Sequence, residues 1–145
     1  MTDISTNKPP IWFWVIAVVA LVWNLMGVMA YIGQAYMTEA ELNALPEVEQ
    51  ALYANYPAWA TAAFAIAVFG GAIASIALLL RKKLAKTLFL ISLIGIIVQM
   101  IYNFFISEAM DVYGPGGMIM PVMIIIIGVY LVMLAKKSIS NNWIS

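Results

Sequence analysis

The sequence predicts an all-α integral membrane protein. The expected fold is a four-helix bundle of four transmembrane helices, with both termini cytoplasmic and short amphipathic helices in the first outer loop. Three observations lead there. Of 145 residues, 65% are hydrophobic and 10% are charged, whereas a soluble domain carries about 25% charged residues. Four apolar runs, at about residues 11–36, 59–80, 88–106 and 118–135, approach or exceed the roughly 20 residues needed to cross a bilayer. None of them alternates polar and apolar residues as barrel strands do. Helices satisfy their own backbone groups and are the remaining way to span lipid. Residues 1–145 read as a single transmembrane domain.

The first span follows Pro9-Pro10, a pair that stiffens the entry and can start a helix, where the missing N–H costs nothing. It exceeds the about 7–15 apolar residues of a signal peptide, so a membrane span is expected rather than a cleaved leader. In the following loop, Thr38-Glu39-Ala40-Glu41 fits a capping box. Pro46 then opens a second short helix, with Glu47 and Glu49 near its positive end and Val48, Leu52 and Tyr53 as its apolar side. The second span carries Ala63, Ala67, Gly71 and Ser75 at a spacing of four. Gly70 and Ala74 widen this into a smooth stripe, which lets helices approach closely in lipid. The third span holds Gln99 and Asn103. Gly114-Pro115-Gly116-Gly117 lacks a following Lys-Ser/Thr and a preceding strand, so it is a helix breaker and not a phosphate loop. Pro121 falls in the first turns of the fourth span, where proline is tolerated. The tail from Ser138 is expected along the inner surface, with Trp143 and Ile144 dipping in. Trp12 and Trp14 mark the inner interface, and Tyr36, Tyr56 and Trp59 the outer one.

Charge gives the orientation. With four crossings, Lys8, the Arg81-Lys82-Lys83-Lys86 cluster and Lys136-Lys137 fall on one side. Glu39, Glu41, Glu47, Glu49, Glu108 and Asp111 fall on the other, and Asp3 is the one acid on the basic side. The positive-inside rule makes the basic side cytoplasmic.

Composition also removes function classes. The chain has no His and no Cys. That excludes a His general base, a thiol nucleophile, a disulfide and the ordinary zinc, haem and iron–sulfur sites. No enzyme activity, cofactor or metal is expected. Met118, Met120 and Met123 read as adaptable filler, and Glu108 with Asp111 as solvated surface. A net charge of zero leaves no basic surplus for nucleic acid.

Uncharged polar residues inside the spans are the candidate site. Asn24, Tyr31 and Gln34 share one face of the first span, together with Gly27. Gln99, Tyr102 and Asn103 share a face of the third with Ser92 and Gly95. Asn24 and Gln99 each lie thirteen residues beyond the inner edge, about 20 Å in, so the two faces are expected to meet in the outer half. Amides there serve as interhelical hydrogen bonds or as a site for a small neutral solute. The first expectation is a packing and interaction protein that joins itself or another membrane protein through the small-residue stripe. The alternative is an oligomeric transporter of a small neutral, sugar-like solute.

Trp23-Asn24-Leu25-Met26-Gly27-Val28, the stretch from Pro57 to Gly71, Gly114-Pro115-Gly116 and Met120-Pro121 together resemble a family of small bacterial four-helix inner-membrane proteins. The resemblance covers most of the chain and implies a bacterial inner membrane. Members are largely uncharacterised and sometimes labelled sugar transporter. The chain lacks the three-helix repeat with a Pro-Gln motif found in the smallest sugar transporters.

Overall fold

The computed structural model describes residues 8–107 and 109–145. Asp3 and Glu108 lie outside them. The described chain is helical, with no strand. Helix α1 spans Ile11–Ala35, α2 Glu39–Asn43, α3 Glu47–Ala54, α4 Ala58–Leu79 and α5 Leu84–Ile101. A π-helical turn, Tyr102–Ile106, continues α5. Then come α6 at Ala109–Tyr113, a 3₁₀ turn at Pro115–Met118 and α7 at Ile119–Ser140. Four of these helices are long and apolar enough to cross a membrane, as in a multi-pass membrane protein.

Three helices begin immediately after a proline. Pro10, Pro46 and Pro57 hold extended backbone at the caps of α1, α3 and α4. Each carbonyl accepts a first-turn N–H, for example from Phe13 at 3.0 Å and from Ala60 at 3.1 Å. The two loop helices differ in their caps. Thr38 forms the full capping box on α2: Glu41 N–H donates to the Thr38 hydroxyl at 3.2 Å, and Thr38 N–H donates to the Glu41 carboxylate at 2.8 Å. On α3, Leu52 and Tyr53 are half-buried while Val48 stays exposed. Its apolar side is therefore narrower than the sequence implied.

Two spans run further than their apolar stretches. The third helix starts at Leu84 and includes Lys86; the fourth runs to Ser140 and includes Lys136 and Lys137. Backbone hydrogen bonding propagates past the apolar boundary, and lysine can lay its stem along apolar surface with its ammonium in water.

The four long helices alternate in direction. Helix α4 packs against both α1 and α5, and α5 packs against α7. This makes α4 the central helix: half of its span is buried, against 11% of α1. The small-residue stripe explains how it serves two neighbours. A spacing of four advances about 400° at 100° per residue, so the stripe drifts about 40° per step. At its start it faces α5: a Cβ on Gly95 would lie 2.9 Å from Ala63 O and Ala67 N, and the Ser92 hydroxyl donates to Ala67 O at 2.5 Å. At its end it faces α1, where Gly71 and Ser75 receive Asn24.

At the basic end the four helices share one core. Phe13, Ala17, Ala74, Leu78, Ala85, Phe89, Leu131, Leu134 and Ile144 are all buried in it. The tail does more than lie on the surface. Asn142 adopts a left-handed φ of 58°, and Trp143 N–H then closes α7 onto Ser138 O at 2.8 Å, a Schellman ending. Arg81 ends α4 in the same way with φ 59°. The tail pairs with that turn: Ser145 N–H donates to Arg81 O, Lys83 N–H donates to Ser145 O, and Arg81 Nε donates to Trp143 O. These bonds offset the left-handed strain of about 1–2 kcal/mol on a non-glycine residue. Trp143 meets Trp12 and Phe13 edge-on, and Lys137 lies 5.3 Å over Trp12.

Candidate functional site

The acidic-end half of the bundle is less tightly filled. A cavity of about 370 Å³ lies among all four long helices. Helix α1 contributes Trp23, Asn24, Met26, Gly27 and Ala30; α4 contributes Phe64, Ala67 and Val68. Ile96, Gln99, Met100 and Asn103 come from α5 and its π-helical turn, and Met120, Pro121 and Ile124 from α7. Three of the fifteen lining residues are amides, and they are three of the polar residues singled out from sequence.

Asn24 bonds to neither Gln99 nor Asn103, and α4 packs against both of their helices. Asn24 Nδ2 donates to Ala20 O at 2.9 Å and to the Ser75 hydroxyl at 3.3 Å. Ser75 in turn donates to Gly71 O at 2.8 Å. Gly71 leaves the room that the Asn24 amide occupies: an added Cβ would displace Asn24 Oδ1. Gln99 Nε2 donates to the Tyr56 hydroxyl at 3.3 Å. Asn103 Nδ2 has a thioether partner, Met100 Sδ, at 4.0 Å, the weakest of the three arrangements. Its position depends on the π-helical turn, in which Ser107 N–H reaches back five residues to Tyr102 O at 2.8 Å. Such turns frequently occur at functional sites.

The other polar candidates lie nearer the acidic end. Tyr31 packs edge-on against Phe64 and Phe69. Tyr31 and Gln34 line a cavity of about 290 Å³ beneath α2 and α3, with Leu42, Tyr53 and Tyr56. Tyr102 is buried and its hydroxyl donates to Asn55 O at 3.4 Å. Tyr56 is half-buried, its ring centroid 5.0 Å from that of Tyr102. Burial raises its phenol above the ordinary 10.0, against the opposing hydrogen bonds of Gln99 and Gln34. Trp59 also meets Tyr102, at 5.4 Å, while remaining half exposed.

Tyr53, Tyr56, Asn55 and Tyr113 were not read from sequence as site residues. The available signal was the density of tyrosine in segments that otherwise look like acidic connectors. Asp111 is exposed on α6; Met118, Met120 and Met123 lie on the outside of the bundle, Met120 also at the cavity. The bend before α7 is set by Gly114, at φ 69°. Among the described residues no group of His, Cys, Asp or Glu is arranged to hold a metal ion. No family model, curated protein or solved structure matches the chain.

Proposed function

We propose that this chain is a multi-pass protein of a bacterial inner membrane that binds a small uncharged molecule in the cavity between its four long helices. The observation that carries the reading is the convergence of Asn24, Gln99 and Asn103, from two helices, on one cavity. The charge asymmetry supports a cytoplasmic basic end, so this cavity belongs to the outer half. The resemblance to small bacterial inner-membrane proteins supports the compartment. Because twelve of the fifteen lining residues are not amides, the proposal moves from a sugar toward a compound with an apolar body and a neutral polar group. A transporter built on this site would act as an oligomer.

The test is a thermal-stabilisation screen of neutral sugars, alcohols, amides and neutral amphiphiles on purified protein. A ligand at 100 times its Kd stabilises by about 2.7 kcal/mol. A saturable shift that disappears in Asn103→Leu is expected. Asn103 suits the purpose because its thioether contact is weak, so its loss should leave the unliganded melt nearly unchanged. Absence of any saturable shift, or a shift that persists in Asn103→Leu, would refute the proposal.

A second reading is interaction with another copy. The small-residue stripe is consumed between α4 and its neighbours, so it offers no free surface. Helix α7 instead exposes Ile119, Val122, Ile126, Val129 and Met133, which follow the three–four spacing of a helix–helix seam. The chain has no Cys, so a single Ile126→Cys variant tests it. Disulfide-linked dimer in native membranes supports the seam, and monomer under oxidising conditions opposes it.

A further inference from the structure

A second cavity lies beyond the first, toward the acidic end. Its volume is about 140 Å³. Tyr53 from α3, Tyr56 from the link to α4, Tyr102 from the π-helical turn and Tyr113 from α6 all line it, along with Asn103 and Ser107. Four phenol rings from four separate elements thus surround one small space.

Aromatic rings make up the largest part of its lining. Tyr56 and Tyr102 stand at 78° with centroids 5.0 Å apart, forming a corner instead of a stack. Two hydroxyls are hydrogen-bonded and a third lies in the field of a carboxylate. Tyr102 donates to Asn55 O, Tyr56 accepts from Gln99, and Tyr113 faces the charge of Glu49. A ring face carries negative quadrupole potential and attracts cations.

The helices that contribute Tyr53 and Tyr113 also carry acids, Glu47 and Glu49 on α3 and Asp111 on α6, and the charge of Glu49 acts on Tyr113. The sequence has no Lys or Arg from residue 9 to 80 or from 87 to 135. No cationic side chain from these segments can fill the space. At roughly 30 Å³ per water, the cavity has room for about five water-sized groups, the scale of a methylated ammonium.

We propose that this tyrosine-lined cavity binds a quaternary ammonium group. The site adjoins the neutral-ligand cavity and shares Asn103 with it, but neither Asn24 nor Gln99 lines it. The ammonium would come from a free solute or from a lipid headgroup at the membrane surface.

The test is equilibrium dialysis of radiolabelled tetramethylammonium against the full chain in a maltoside detergent. Saturable binding is expected, displaced by choline and not by the uncharged carbon analogue of choline. The double variant Tyr53→Phe/Tyr113→Phe keeps the rings and should bind within about threefold of the wild type. The Leu pair should bind at least about tenfold more weakly, as expected for desolvated cation–π contacts. Equal displacement by the carbon analogue, no saturable binding, or equal loss in the Phe and Leu pairs would overturn the proposal. If the Leu pair does not fold, the wild-type displacement comparison decides alone. Two nanodisc compositions then separate the sources. Tetramethylammonium binding suppressed by phosphatidylcholine but not by phosphatidylglycerol identifies the headgroup, and equal binding in both identifies a free solute. This result is independent of the neutral-ligand screen, because Asn24→Leu should leave it intact.

Discussion

Replacing Gly71 with alanine tests how α1 is held to the central helix. The new Cβ would sit 2.0 Å from Asn24 Oδ1 and 2.7 Å from its Cγ, well inside contact distance. Asn24 must swing away and lose its bond to Ser75 on α4. An interhelical hydrogen bond of this kind contributes about 0.6–2 kcal/mol. Overpacking adds about 1–3 kcal/mol, and alanine returns about 1 kcal/mol of helix propensity. The net expectation is a loss of roughly 1–4 kcal/mol. Reversible unfolding in mixed detergent–dodecyl sulfate micelles, followed by helicity, measures it. Gly33→Ala is the control, since nothing lies within 4 Å of its added Cβ, and it should be neutral or slightly stabilising. Adding Asn24→Ala to Gly71→Ala removes the obstructing amide, so the two changes should couple by about 1 kcal/mol or more. A Gly71→Ala protein within about 0.5 kcal/mol of wild type, or strict additivity in the double variant, would refute the packing argument.

Three other outcomes follow from the same structure. Ile144 is 1% exposed within the core at the basic end, so Ile144→Ala should cost about 2–5 kcal/mol in the same unfolding assay, far more than a surface tail residue would. Thr38→Ala removes one half of a capping box and should cost about 1 kcal/mol locally. That loss should appear as faster hydrogen exchange in α2, with little change in the global melt. The Tyr113 phenol is raised above 10.0 by burial first and then by the charge of Glu49, and Tyr56 is raised by burial. A raised folded value means the neutral phenol contributes stability that is full below pH 10.0 and lost as pH climbs through the folded values. Alkaline melts should therefore steepen above pH 10.0, and Tyr56→Phe should flatten that slope more than Tyr113→Phe, whose ring is half exposed; phenolate absorbance tracks the titration directly.

Much of the architecture is legible in single residues. The length and hydropathy of the four runs locate the long helices, because a span must be apolar along its whole crossing. Pro10, Pro46 and Pro57 mark three helix starts, and Thr38 with Glu41 marks a fourth, because caps are local chemistry. Helix ends near charge were less legible. Lys86 and Lys136 continue their helices, since backbone bonding does not stop where hydropathy does.

The candidate site was legible in its amides and not in their partners. Asn24, Gln99 and Asn103 announce themselves as polar groups within apolar spans. That Asn24 bonds to Ser75 depends on α1 packing against α4, and that Gln99 bonds to Tyr56 depends on the link before α4 reaching α5; both are matters of packing order. The helices, their alternation and the sorting of charge to two ends are all readable from the residues, because each follows from the cost of placing particular groups in lipid. Tertiary structure alone decided that the small-residue stripe turns from α5 to α1, since its drift has meaning when both neighbours are present. It alone also gathered four tyrosines, scattered over sixty residues, around one cavity, because nothing local relates the loop helices to the π-helical turn they cover.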